Sequence, residues 1–274
     1  MYTAYWKLHE RPFDDGAEAR FYYPSEAHQA ALLKLRYAAE HRCGAALVAG
    51  APGLGKTRLV ETLLRELPER YGPRVHLKFP QMPPAQLLAL LAGELTGERS
   101  LEGTIDGSLH RIADLLAKND KAGRRAIVVI DEAHLLRETS ALETVRLLLN
   151  FQPAWLVLLA GQSDLLLALK RMPALEERFT VKCLLRRLAL EETISYISHR
   201  MVAAGATDVH GIFDTAALEA VHRLSEGVPR RINRLCDLAL LVGFAEGHSR
   251  ICTPLVETVA EELLSGAPQT RQAA

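Results

Sequence analysis

Cysteine is scarce: the 274 residues hold four, Cys43, Cys183, Cys236 and Cys252, far apart, with no CxxC pair and no histidine cluster at metal-ligand spacing. A disulfide scaffold and a thiolate zinc site are thereby excluded, and the four read as reduced, buried thiols. Neither sign of charge is in excess, since Lys plus Arg and Asp plus Glu both number 33. No general basic field draws the chain onto nucleic acid or an anionic membrane, so any DNA contact needs a local patch. Apolar runs of membrane-spanning length are also missing; Leu238 to Ala245 is among the longest, far short of the roughly 20 residues a span needs. The first residues, Met1 to Phe13, show no apolar core behind a basic start and so do not read as a secretory signal. A cytoplasmic location is the default expectation.

What is present is an ordinary globular composition, 49% hydrophobic and 24% charged, enough to bury a large core and to order nearly the whole chain. Short apolar runs near 45–50, 74–80, 126–131, 155–161 and 181–185 alternate with helical patterns, which predicts an α/β domain with a parallel sheet. The run from Ala126 to Ile130 lacks any polar alternation and is expected mid-sheet, covered on both faces. From Leu190 on, strand-like runs stop. Helical patterns follow at 190–205, 214–225, 230–247 and 253–264, with Asp214 or Thr215 as a cap and Pro229 and Pro254 in first turns. The expected domains are therefore 1–188, taking the N-terminal segment 1–24 with the α/β part, then a helical lid at 189–264 and a flexible tail at 265–274.

Gly50-Ala51-Pro52-Gly53-Leu54-Gly55-Lys56-Thr57 fits GxxxxGK[ST] and lies between an apolar strand and a helical pattern starting at Arg58. Glycines there let backbone N–H groups wrap a phosphate at a helix N-terminus. Lys56 is placed to neutralise the β and γ phosphates, the Thr57 hydroxyl to ligate Mg²⁺, and Arg58 to lie beside the bound nucleotide. About 75 residues on, Ile127 to Ile130 lead into Asp131 and Glu132. At that strand end Asp131 is suited to hold Mg²⁺ and Glu132 to polarise an attacking water. Asp-Glu after a strand is otherwise a helix cap; beside the glycine loop, the metal and base reading is the stronger. The DEAH spelling also occurs in helicases, but no second nucleotide-binding domain is evident.

Three further candidates are less specific. Gln162 ends the strand-like run after Trp155 and is either a water-positioning side chain or a plain polar terminus. Arg178, just before the last strand, fits an arginine that reaches a neighbouring subunit's phosphate, the alternative being pairing with nearby carboxylates. Arg230, Arg231 and Arg234 open a helix, where cations oppose the helix dipole unless an anion is near. Elsewhere, Lys118, Lys121, Arg124 and Arg125 read as a solvated helix end before a nucleic-acid contact. Phe21, Tyr22 and Tyr23 wall an adenine pocket or staple the helix that begins near Ser25. His28, His76, His110 and His222 read as surface or satisfied core residues.

The runs Tyr5 to Phe13, Phe21 to His28, Ala160 to Leu165, Glu177-Arg178-Phe179 and Gly227 to Asp237 resemble, in the same order, the ATPase domain of the ExeA (general secretion pathway protein A) family. The likeness covers nearly the whole chain. It implies a P-loop NTPase of the AAA+ class, similar also to the TniB and MuB transposition ATPases. The fold implied is a three-layer parallel sheet of order 5-1-4-3-2 with a C-terminal all-helical lid, nucleotide between the two, and a ring or filament as the active form. It further implies Lys56 and Thr57 as Walker A, Asp131 and Glu132 as Walker B, Gln162 and Arg230 as the first and second sensors, and Arg178 as the finger acting in trans. ATP and Mg²⁺ are the cofactors implied. The expected partners are the chain itself, a protein partner linked to secretion, or duplex DNA. Secretion-type members continue into a membrane span and a peptidoglycan-binding region that this sequence does not carry, so a direct role in secretin assembly is not expected from it.

Overall fold

The computed structural model describes residues 2–265 apart from 15, 17, 99–103, 137, 138 and 154. The chain forms two compact units: Glu26–Pro52 with Lys56–Leu185, and Met1–Ser25 with Gly53–Gly55 and Arg186–Ala274. A short helix α1 (Tyr2–Tyr5) opens the chain and belongs to the second unit.

The first unit runs α2 (Glu26–Glu40), β1 (Ala45–Ala49), α3 (Lys56–Glu66), β2 (Arg74–Leu77), α4 (Pro84–Thr96), α5 (Ile105–Lys121), β3 (Ile127–Ile130), α6 (Thr139–Leu148), β4 (Leu156–Gly161), α7 (Asp164–Lys170), α8 (Pro173–Glu176) and β5 (Phe179–Leu184). The strands are all parallel and lie in the order β2-β3-β4-β1-β5, which is the expected 5-1-4-3-2. Sequence explains position. β1, β3 and β4 are uninterrupted apolar runs, buried at every residue, as strands covered on both faces must be. The outer strands alternate: in β5 the side chains of Thr180, Lys182 and Leu184 are exposed between buried neighbours, and in β2 Arg74 and His76 are only half-buried. β2 stops at Leu77, before Phe79 and Pro80, short of the expected 80; β5 begins two residues earlier than expected because Phe179 pairs with Ala45. Thr104 caps α5 by accepting from Gly107 N–H at 3.1 Å, and left-handed Gly97 (φ 77°) ends α4.

The second unit holds α9 (Leu190–Ala203), α10 (Val209–Ile212), α11 (Thr215–Ser225), α12 (Pro229–Ala245) and α13 (Thr253–Ser265). Asp214 caps α11 through a 2.6 Å bond from Ala217 N–H. Here the structure differs from the expected grouping of 1–24 with the α/β part. Trp6 Nε1 donates to Leu240 O at 2.9 Å, Arg200 donates to Pro12 O at 2.6 Å and Asp14 O at 2.8 Å, and Phe13 and Phe21 are buried with the helices. The aromatic segment thus completes the helical core, and Tyr23 meets Tyr196 edge-on at 5.8 Å. A parallel bridge, Phe213 to Ile251, lies between the helices. Of the expected tail, residues 266–274 lie outside the described residues.

Candidate functional site

β1 and β4 end level with one another, and β3 ends two residues short of them. Ala49 pairs with Gly161 and Ile130 with Leu159, and the Gly50 amide donates to Gly161 O at 3.2 Å. The glycine loop, the Asp131-Glu132 pair and Gln162 therefore leave the same edge of the sheet, the carboxyl edge where parallel sheets place ligands. In the loop, Gly53 and Gly55 have φ of 81° and 84°, a conformation that costs other residues about 1–2 kcal/mol. Lys56 begins α3 and is 7% exposed. Its Nζ donates to Gly50 O at 3.0 Å and Ala51 O at 3.1 Å, which holds the cation inside the turn of the loop.

Asp131 is 1% exposed. It accepts from Thr57 Oγ1 at 2.7 Å, from the Glu132 amide at 2.8 Å, and lies 3.2 Å from His76 Nε2. Burial pushes its carboxyl up, but the bonds from His76, Thr57 and the Glu132 amide outweigh that and leave it below the ordinary carboxylate value. The pairing of Thr57 with Asp131 is the donor set Mg²⁺ uses beside phosphate, a hydroxyl and one carboxylate. Among the described residues no cluster of three or more His, Cys, Asp or Glu is set to hold a metal, so the remaining ligands would be phosphate oxygens and water. A curved loop free of Cβ atoms at its left-handed positions, with a cation and this pair beside it, fits a nucleoside triphosphate with Mg²⁺.

Glu132 is held in the left-handed region, φ 49° and ψ 33°, strain of the kind that gathers at functional positions. A 3-10 turn, Ala133–Leu135, follows. It brings His134 between two of the predicted residues: Nδ1 lies 3.4 Å from Glu132 Oε2 and Nε2 lies 2.8 Å from Gln162 Nε2.

Arg58 pairs with Glu61 at 3.6 Å on α3. Arg178 is exposed and donates to Asn150 Oδ1 at 2.9 Å. It precedes β5, at the sheet edge opposite the loop, and the six residues of β5 measure roughly 20 Å. In the helical unit Arg230 N–H donates to Gly53 O at 3.3 Å, and Arg230 makes no ion pair among the described residues. Glu226 pairs with Arg231 at 3.5 Å and with Arg187, so one of the three helix-opening arginines has its anion within the protein. Arg125 is structural: its guanidinium donates to the carbonyls of Ala38, Ala39, Cys43 and Trp155.

Sequence reasoning missed His76 and His134. Strand order alone puts β2 beside β3, but the register that sets Leu77 against Ile130, and so brings His76 to Asp131, has no periodic signature. His134 is three residues past Asp131, and its direction depends on the strained Glu132.

The parallel sheet of order 5-1-4-3-2, the glycine loop after β1, the acidic pair after β3 and the helical unit together define an AAA+ P-loop ATPase. Comparison with known proteins agrees. A model of the AAA domain matches residues 39–169. Over 270 residues the chain is 33% identical to General secretion pathway protein A of Aeromonas hydrophila, which covers 96% of this chain and 48% of that protein. The chain thus belongs to the ExeA (general secretion pathway protein A) family of AAA+ ATPases, and spans about half the length of that relative. Solved structures share the fold: Cdc6p from Pyrobaculum aerophilum with a TM-score of 0.71 at 16% identity, covering 94% of this chain and 74% of that one, and the Aeropyrum pernix ORC2 protein, in ADPNP–ADP complexes, with a TM-score of 0.70 at 17% identity, covering 92% and 71%. No helix among the described residues is long and apolar enough to cross a membrane.

Proposed function

We propose that the protein binds ATP with Mg²⁺ and hydrolyses it to ADP and phosphate. The observation that carries this is the 2.7 Å bond from Thr57 Oγ1 to Asp131 Oδ2, which joins loop and acidic pair into one Mg²⁺ donor set. Bound ATP-Mg²⁺ supplies the phosphoryl group and the charge neutralisation for its transfer. The loop amides and Lys56 hold phosphate charge, Thr57 and Asp131 hold the metal, and Glu132 takes the proton of the attacking water. Gln162 orients the groups at this edge, Arg58 flanks the loop, and Arg230 is assigned as the second sensor. Arg178 is too far along the sheet to serve its own site, so we assign it to a neighbouring copy in a ring or filament, the protein working in the cytoplasm. Phosphate release tests the reading: Lys56→Ala should abolish it, and the rate per subunit should rise with protein concentration in wild type and collapse in Arg178→Ala, by about 10³-fold or more. Turnover undiminished in Lys56→Ala would end the site assignment, and a concentration-independent rate insensitive to Arg178→Ala the trans finger.

We further propose that nucleotide-dependent self-assembly drives or regulates a protein partner linked to secretion, on the likeness to General secretion pathway protein A. A second reading, a duplex-DNA adaptor, is favoured by Arg42, Arg70 and Arg124, which line one cleft of about 150 Å³ at the amino edge of the sheet without a carboxylate partner among the described residues. Glu40 and Asp120 line the same cleft. Duplex titration with and without ATP at two salt concentrations decides, and no binding at low salt ends it.

A further inference from the structure

We infer that His134 is a positioning residue that relays a hydrogen bond from Gln162 to the Glu132 carboxylate, so that the end of β4 sets the orientation of the base. The inference rests on the reading of Glu132 as that base.

The imidazole lies between these two side chains. Its Nε2 lies 2.8 Å from Gln162 Nε2. A carboxamide nitrogen only donates, so His134 Nε2 must accept, and the neutral ring then carries its proton on Nδ1. That nitrogen is buried and makes no hydrogen bond among the described residues. Facing it at 3.4 Å is Glu132 Oε2, a little beyond a good hydrogen bond, so a small rotation of the Glu132 side chain, which is 43% exposed, closes the contact. The reversed amide is disfavoured: Gln162 Oε1 against Nε2 would draw the ring proton there and leave a lone pair on Nδ1 opposite a carboxylate.

The backbone is built for this approach. A Cβ on Gly161 would lie 3.0 Å from His134 N and 3.0 Å from Leu165 Cδ2, so a glycine at the end of β4 lets the turn after Glu132 lie against it. The strained Glu132 backbone aims the turn back toward β4. At 10% exposure the ring has little freedom to leave. His134 touches neither side of the reaction; it acts through Glu132. Whatever Gln162 meets at the strand end is thereby felt at the base.

Two measurements on the full chain test this. In long-range ¹H–¹⁵N spectra without nucleotide, at a pH of about 8, where an ordinary imidazole is neutral, His134 should be the Nδ1–H tautomer, and Gln162→Leu should move its Nε2 resonance by removing the donor to it while the Glu132 carboxylate keeps the proton on Nδ1. An Nε2–H tautomer in wild type, or an Nε2 resonance unmoved by Gln162→Leu, overturns the relay. In ATP turnover, His134→Ala should lower kcat about 10- to 100-fold, as loss of an orienting hydrogen-bond partner does, with nucleotide affinity changed less than about 3-fold. His134→Asn, whose amide nitrogen overlays Nδ1 but which offers Gln162 no acceptor, should restore only part of kcat and verify that the site still folds. Adding Gln162→Leu to His134→Ala should cost nothing more. Additive losses, or full turnover in His134→Ala beside an active wild type, overturn the relay alone. A wild type that binds ATP-Mg²⁺ without turning it over overturns the ATPase reading, and with it the catalytic meaning of the relay.

Discussion

Arg125 gives its guanidinium to backbone carbonyls of Ala38, Ala39, Cys43 and Trp155, so it ties the end of α2 and the approaches to β1 and β4 at the amino edge of the sheet. Burial lowers its pKa from the usual arginine value, yet guanidinium stays charged in any case. Arg125→Met leaves those carbonyls without their donor, and its chemical unfolding should show a loss of roughly 3 kcal/mol. Arg125→Lys should recover less than half, because an ammonium cannot fork across several acceptors; a loss below about 1 kcal/mol in Arg125→Met would show the tie to be idle. From sequence, Arg125 and its neighbour Arg124 share one reading, a solvated basic end. Only the folded chain separates them, since Arg124 remains exposed while Arg125 turns inward. Lys56, Thr57, Asp131 and Glu132 were legible because a loop of fixed spacing and a strand ending in carboxylates are local signals. His76 and His134 were not, because each acts across a register or through a strained residue.

Elements show the same division. Central strands announce themselves by unbroken apolar runs, and the lid helices by caps such as Asp214, so sheet order and helical unit follow closely from the sequence and its likeness. The place of the N-terminal segment did not follow: Trp6, Phe13 and Phe21 signal burial without naming the surface they cover. One glycine carries the geometry where the helical unit begins. Gly227 has φ 68°, its carbonyl accepts from Leu188 N–H at 2.9 Å, and a Cβ there would sit 2.1 Å from Leu188 O. Gly227→Ala must push that strap away while adopting a left-handed backbone, so thermal unfolding should report a destabilisation of at least about 2 kcal/mol. An unchanged midpoint would mean the strap is not needed.

At the scale of the molecule, the direction of the sheet decides what one copy can do alone. All strands run parallel, so the loop, Asp131, Glu132 and Gln162 share the carboxyl edge and Arg178 sits at the other. On the proposed reading, one copy holds a set for binding nucleotide and Mg²⁺ and a base for water, and lacks within reach the arginine proposed to complete the transition state. Neutral net charge leaves specific contacts, not a general field, to bring copies or partners together. The division between binding and turnover is tested most directly by Glu132→Gln, with nucleotide affinity and phosphate release measured on the same preparation with Mg²⁺ present. The prediction is ATP affinity within about 3-fold of wild type with turnover down by about 10²-fold or more. Wild-type turnover in Glu132→Gln, or loss of binding in step with turnover, would contradict the assignment of Glu132 as the base at a separately built phosphate site.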